Sequence, residues 1–280
     1  MTPPRILVLA RSYPSQHDLY ASAFVHVRVK AYMRHAPVVV ASAPNPAPDW
    51  EYEGVPVRTF ATMSELSRFI DEYRPDVIAA HFAEGAVIDD VLMRTHVPVV
   101  VWVHGYEALG WYRRLFNVGS AKELWDAARL NRYQMSRFRG LIRRSNETGR
   151  IAFVFVSNWM RRITQTDTFV RADHAFIIPN PIDTSLFRFV RKSADDRFKV
   201  LLIRPFHTRK YANDLAIKAI LKLARRPGFD RFRFSLYGQG RFFKPLVSRV
   251  RHLDNVHAHE GFLTQGQVAQ VHRDHGVLLC

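Results

Sequence analysis

Short apolar runs alternate with helical patterns along most of the chain. Residues 5–10 (RILVLA), 37–43, 76–80, 98–103 and 152–156 are apolar at successive positions rather than at every second one. Strands of that kind are buried on both faces, as in a parallel sheet. Between them, residues 23–34, 63–73, 86–94 and 158–164 carry apolar positions at helical spacing. The first helix is expected to turn Phe24, Val27, Ala31 and Tyr32 inward, the second Leu66, Phe69 and Ile70. Further strands are read at 55–60 and 175–178. The proline-rich run 44–50 (PNPAPDW) reads as an exposed connection without regular structure.

The alternation breaks at 111–144, where nine Arg or Lys residues stand against only Glu123 and Asp126. Leu124, Ala128, Met135, Phe138 and Ile142 recur there at near-helical spacing, which predicts a long amphipathic helix. After an irregular polar stretch ending near Arg197 the pattern returns: strands at 200–203, 232–237, 256–259 and 277–279, and helices at 215–225, 243–252 and 265–272. The chain therefore reads as two doubly wound α/β domains, 1–190 and 197–280, the second left incomplete at its last strand.

Composition narrows the partners. The 280 residues carry a net charge of +16, which points to an anionic partner: nucleic acid, a phospholipid surface or a phosphorylated substrate. The single cysteine, Cys280, excludes a disulfide framework and fits a reducing compartment. No segment approaches the roughly 20 apolar residues of a membrane span. No P-loop, HExxH or Gly-x-Ser-x-Gly motif occurs. Gly238-Gln239-Gly240 lacks the third glycine of a dinucleotide fingerprint, and His257, His259 and Glu260 lack the cysteine pairs of a zinc site, so no metal is expected.

The chemistry concentrates at 199–214, KVLLIRPFHTRKYAND. A buried strand leads into a loop with Arg204, Arg209 and Lys210, and then to Asn213 and Asp214, residues suited to capping the helix that follows. Free N–H groups at a helix start and fixed cations beside them suit a diphosphate held without metal. Basic residues capping an α/β loop are the plainer alternative.

The order of further segments carries a resemblance. Val103-His104-Gly105-Tyr106-Glu107, Phe155-Val156-Ser157, Ile178-Pro179-Asn180-Pro181-Ile182-Asp183 with Phe187, Arg204 with Lys210, Tyr237-Gly238-Gln239-Gly240 and Glu260-Gly261-Phe262 follow one another along the chain. In these segments the chain resembles the retaining nucleotide-sugar glycosyltransferases of the GT-B fold, family 4. It departs from them at Pro181, where the family has glycine, and at Ala21-Ser22-Ala23, where many relatives have a glycine-rich loop. The family's Glu-x7-Glu motif would begin shortly after 276–280, so the chain is expected to be C-terminally truncated and not fully active by itself.

The resemblance implies two Rossmann-like domains facing a cleft and transfer of a sugar, with retention, from a nucleotide sugar to a glycan or lipid-linked acceptor of the cell-surface polysaccharide or lipopolysaccharide type. Arg204 and Lys210 would hold the donor diphosphate and stabilise the leaving anion. Gly238 and Gly261 would let the backbone approach the donor, His104 would lie beside the donor sugar, and Glu107 would orient hydroxyls. For His104 the alternative is a paired structural histidine, for Glu107 a helix cap, and for Gly261 a plain turn glycine. No cofactor is expected. Arginines interleaved with Trp111, Tyr112, Phe116, Trp125, Tyr133 and Phe138 suit an anionic membrane face, the alternative being an ordinary solvated arginine face on a core helix. The expected location is the cytoplasm, with the inner face of the cytoplasmic membrane as docking surface. A nucleotide-sugar-binding remnant, an epimerase of the same fold and a basic nucleic-acid-binding protein are the competing readings; no recognised nucleic-acid module is present, so nucleic acid is not an expected partner.

Overall fold

The computed structural model describes residues 2–280. The chain forms two compact units, one holding Ser120–Ile182 and the chain up to Arg113, the other Arg114–Gly119 and Asp183–Cys280.

The first unit is built on eight strands: β1 Ile6–Leu9, β2 Val38–Ser42, β3 Trp50–Tyr52, β4 Val55–Thr59, β5 Val77–His81, β6 Val99–Val103, β7 Ile151–Phe155 and β8 Ala175–Ile177. Their order across the sheet is β3-β4-β2-β1-β5-β6-β7-β8, parallel throughout except for the antiparallel pair β3–β4. The unbroken apolar runs follow from this arrangement. Leu7 and Leu9 of β1 enter the core on one face of the sheet, Val8 the core on the other. With both faces covered, no position is left to be polar.

The helices of this unit are α1 Ala23–Met33, α2 Met63–Tyr73, the short α3 Gly85–Val87 that passes into a π-turn at Ile88–Leu92, α4 Ala121–Thr148 and α5 Asn158–Thr168. α2 has a full capping box, Thr62 with Glu65, and buries Leu66 and Ile70 as the periodicity predicts, with Phe69 packed beside them. α4 buries Asn131, Met135, Phe138, Leu141, Ile142 and Ser145 along one stripe. A 3₁₀ stretch, Trp111–Asn117, precedes it.

Two expectations fail here. α1 does not bury Val27 or Ala31; its buried residues are Val25, His26, Arg28 and Val29. The helix is apolar on several sides, and the face it buries sets Val25 and Val29 in the core while His26 meets Tyr13 and Glu53, and Arg28 meets the Trp102 ring and Asn180. The run 44–50 is also not wholly irregular, because Trp50 opens β3 and its indole N–H donates to the Pro14 carbonyl at 2.9 Å.

The second unit has β9 Lys199–Ile203, β10 Arg233–Gly238, β11 Val256–Glu260 and β12 Val277–Leu278 in the order β11-β10-β9-β12, all parallel. Its helices are α6 Asn213–Leu223, α7 Phe243–Val247 and α8 Gln265–Asp274. Leu202, Phe206, Ile217, Ile220, Phe234 and Leu236 lead its core. No helix among the described residues is long and apolar enough to cross a membrane.

Candidate functional site

Two groups of predicted residues sit at strand carboxyl ends, one in each unit. In the first unit β5 ends at His81 and β6 runs out into His104. His81 Nδ1 and His104 Nε2 are 2.9 Å apart and share one proton. The rings lie nearly parallel, and His81 stacks in turn on Trp102. Burial, with the Arg28 charge nearby, lowers the His104 pKa to about 3. Burial also pulls His81 well below the usual histidine range, helped by His104 and Arg28. Both rings are therefore neutral at physiological pH, and the pair can pass or share a proton but cannot supply a cation.

Glu107 closes the turn after β6. Its carboxylate accepts from the His104 N–H at 2.5 Å and from the Gly105 N–H at 3.0 Å. It is 0% exposed, and burial raises its pKa to about 7 despite those backbone bonds. Gln134 of α4 reaches the Glu107 and Ala83 carbonyls and ties this turn to the next. The side chain expected to orient hydroxyls thus faces its own backbone. Around it, Glu84 pairs with Arg11 at 2.9 Å and accepts from the Tyr106 hydroxyl.

In the second unit Arg204 follows β9, with its N–H donating to the Tyr237 carbonyl of β10. Its side chain is half-buried and has no hydrogen bond or ion pair among the described residues. Lys210 lies on a 3₁₀ turn, Arg209–Tyr211, capped by Thr208, and its ammonium sits 5.4 Å from the Tyr211 ring centroid. Arg209 is likewise exposed, over the face of Phe242. A cavity of about 310 Å³ opens beside this loop, lined by Thr208, Arg209, Asn213, Asp214, Phe242 and Leu246. Arg204 and Lys210 are outside that lining.

The helix start differs from the expectation. Ala212, in a left-handed conformation, is the N-cap of α6 and offers no side-chain bond. Asn213 instead reaches back to the Pro205 carbonyl at 2.9 Å and ties the loop's two ends together. Asp214 turns toward Lys218 at 3.7 Å. The backbone needed the tie across the loop more than a cap.

The two predicted glycines border the same loop. A Cβ on Gly238 would run into the Arg204 carbonyl and, at 2.8 Å, the Phe206 ring. The missing side chain therefore lets β10 hold the 204–207 segment in place. Gly261 has φ +143°, donates to the Gly238 carbonyl at 3.1 Å, and has open space where a Cβ would stand. The structure thus brings Arg204, Lys210, Gly238 and Gly261 to the ends of three adjacent strands, β9, β10 and β11. His104 and Glu107 stand together in the first unit. Among the described residues no three His, Cys, Asp or Glu side chains gather closely enough to hold a metal ion.

Sequence reasoning passed over Arg28 and Asp167. Asp167 of α5 accepts from the Gly110 N–H (2.7 Å), the Tyr112 hydroxyl (2.6 Å) and both Nε and Nη2 of Arg113 (2.8 Å each). Burial alone would raise this carboxyl, but Arg113, Tyr112 and Gly110 outweigh it and hold it below its usual range. The only signal for Arg28 was a cation inside the apolar run of α1.

Comparisons with known proteins agree with this architecture. Solved structures that match include a glycosyltransferase from Rickettsia africae (TM-score 0.62, 10% identity, 99% of this chain and 73% of that one). The E. coli protein described as trehalose-6-phosphate bound with UDP-2-fluoro glucose gives 0.63 at 8% identity, over 98% and 77%. WaaG, a glycosyltransferase involved in lipopolysaccharide biosynthesis, gives 0.62 at 12% identity, over 98% and 74%. These likenesses establish a GT-B fold. No curated protein matches. The profile of Glycosyltransferase Family 4 matches residues 8–186, more than half of the sequence, and the chain belongs to that family of glycosyltransferases.

Proposed function

We propose that this glycosyltransferase takes a sugar from a nucleotide-sugar donor and transfers it, with retention at the anomeric carbon, to a glycan or lipid-linked acceptor. The observation that carries the reading is the pair of cations, Arg204 and Lys210, unpaired among the described residues, at the carboxyl end of the second sheet beside the tightly packed Gly238 turn. Open α/β sheets bind ligands at that end of their strands. When the sugar–phosphate bond breaks, the sugar becomes oxocarbenium-like and the diphosphate takes up the bond's electron pair. Arg204 and Lys210 neutralise that anion without a metal. The neutral His81–His104 pair of the first unit can offer an N–H but no charge. A structural neighbour from E. coli is described with UDP-2-fluoro glucose, which agrees with such a donor. Arg204→Ala is expected to lower kcat/KM for transfer by roughly 10²–10³. A variant within a few-fold of wild type would remove Arg204 from the mechanism.

A UDP-GlcNAc 2-epimerase from Neisseria meningitidis is also similar, with a TM-score of 0.54 and 13% identity. Epimerised donor without any transferred sugar would favour that reading.

We also propose that α4 rests on an anionic membrane surface, as suits a lipid-linked acceptor. Lys122, Trp125, Arg129 and Arg132 recur at helical spacing opposite the buried stripe, and Trp125 is 72% exposed. Arg113, Arg137 and Arg139 do not belong to that face. They bond Asp167, Asp89 and the Thr168 carbonyl.

A further inference from the structure

At the carboxyl end of the first sheet a guanidinium is buried with no anionic partner. Arg28 is 4% exposed, and its Cζ lies 3.5 Å from the centroid of the Trp102 ring. Among the described residues its one side-chain hydrogen bond is Nη2 donating to the Asn180 Oδ1, at 3.3 Å. Nη1 is buried without a partner. Burying a cation is costly unless it is paired, and an aromatic face offsets only part of that cost. The neighbouring groups add no negative charge. His81 and His104 are neutral, and Arg28 itself helps to keep them so. Tyr32 is kept from ionising by its own burial.

The position is one where ligands bind. β1 is flanked by β2 on one side and β5 on the other, so the strand order reverses between β1 and β5. In open α/β sheets the ligand crevice lies outside the strand ends at that reversal. α1 follows β1, and His81 ends β5. Asn180, in turn, stands exposed on an irregular segment, so its side chain can leave without unfolding any element. Its neutral oxygen at 3.3 Å is a weak substitute for a charged oxygen at the ordinary 2.7–2.9 Å. Two further buried atoms lack partners nearby, His81 Nε2 and His104 Nδ1. Whichever ring donates the shared proton, one of these outer nitrogens carries an N–H and can donate.

We infer that Arg28 binds an oxyanion, a phosphate or a carboxylate, that replaces the Asn180 carboxamide, and that the acceptor sugar or lipid carries this group. Anion binding itself stands on the geometry of the first unit; naming the acceptor as its bearer rests on the transferase reading. Arg28 is thus a specificity residue, selecting acceptors with a negative group over neutral ones.

The test is calorimetric titration and thermal unfolding of the full chain with inorganic phosphate and with acetate, at constant ionic strength. Wild type is expected to bind one of these anions and to melt higher in its presence. Arg28→Met should bind at least tenfold more weakly, and in anion-free buffer it should melt no lower than wild type, because the unpaired charge has gone. Arg28→Lys keeps the charge without the planar fork and should bind several-fold more weakly than wild type. Arg204→Ala should leave this binding intact, which separates it from the proposed diphosphate site. A response to phosphate alone points to a phosphorylated acceptor, and an equal response to acetate to a carboxylated one. Equal anion binding by Arg28→Met, no binding by wild type, or a marked drop in the melting temperature of Arg28→Met in anion-free buffer overturns the inference. Failure of wild type to bind any of UDP, GDP and dTDP, with anion binding intact, would count against the transferase reading alone.

Discussion

The two strand-end clusters handle charge in opposite ways. In the first unit charges are buried and then neutralised or paired. His81 and His104 share one proton, Glu107 is pushed toward protonation, and Asp167 is enclosed by four donors from three residues. In the second unit Arg204, Arg209 and Lys210 stay at least partly exposed, and among the described residues none of them pairs with a carboxylate. The acids nearest that loop, Asp214 and Glu260, face Lys218 and Lys244 instead. An interior that pairs its own groups is shaped for geometry. Arg28, almost fully buried without an acid, departs from that pattern, and for that reason it is informative.

The largest effect that would break this comparison is on stability. Asp167→Ala leaves Arg113, Tyr112 and the Gly110 N–H without their acceptor, and is expected to cost about 3–5 kcal/mol. Chemical denaturation measures this directly. A loss below about 1 kcal/mol would mean that the buried carboxylate is not the anchor of the 110–113 segment. Next comes the transfer defect of Arg204→Ala, which should appear in kcat/KM while the unfolding midpoint stays put, since its side chain has no hydrogen-bond or ion-pair partner among the described residues.

A subtler test uses pH. The Glu107 pKa is raised to about 7 in the fold from the ordinary value of 4.5, chiefly by burial. A raised folded pKa contributes stability below pH 4.5, which is lost as pH climbs through 7. The full span is roughly 3 kcal/mol. The depressed histidines act in the other sense, giving stability that is lost as pH falls below the usual histidine range. The difference between wild type and Glu107→Gln therefore isolates the carboxyl. It should shrink or reverse between pH 4.5 and about 7. A difference that is flat across that window would show that Glu107 is ionised throughout.

The smallest expected effect is on folding by the exposed face of α4. Arg129→Glu with Arg132→Glu should change stability by no more than about 0.5 kcal/mol, yet lower binding to vesicles containing anionic lipid. Equal binding of the double variant, or equal binding of wild type to neutral vesicles, would end the proposed membrane role.

Much of the architecture was legible because parallel strands buried on both faces leave a simple trace. Strands β1, β2, β5, β6, β7 and β9 each coincide with an apolar run to within about a residue at either end, and α2 coincides with its pattern from Met63 to Tyr73. α1 was found but turned the wrong way, since a helix apolar on several sides has no single inward face to read. The capping role given to Asn213 failed for a related reason. Local preference names residues able to cap, while the loop's closure decided that this one should hold the Pro205 carbonyl.

The hydrophobic pattern alone determined the αβ alternation, the long basic helix and the basic loop after β9. These depend on neighbours in the chain, which periodicity reports. Tertiary structure alone decided which charges are spent inside the molecule. Arg113, Arg137 and Arg139 look like Arg129 and Arg132 in a list of basic residues, yet the first three bond Asp167, Asp89 and the Thr168 carbonyl. Arg28 looks like any helix cation, yet it is buried against Trp102. Burial and pairing join residues up to 152 positions apart, as with Arg28 and Asn180, and no local pattern in the chain encodes such a distance.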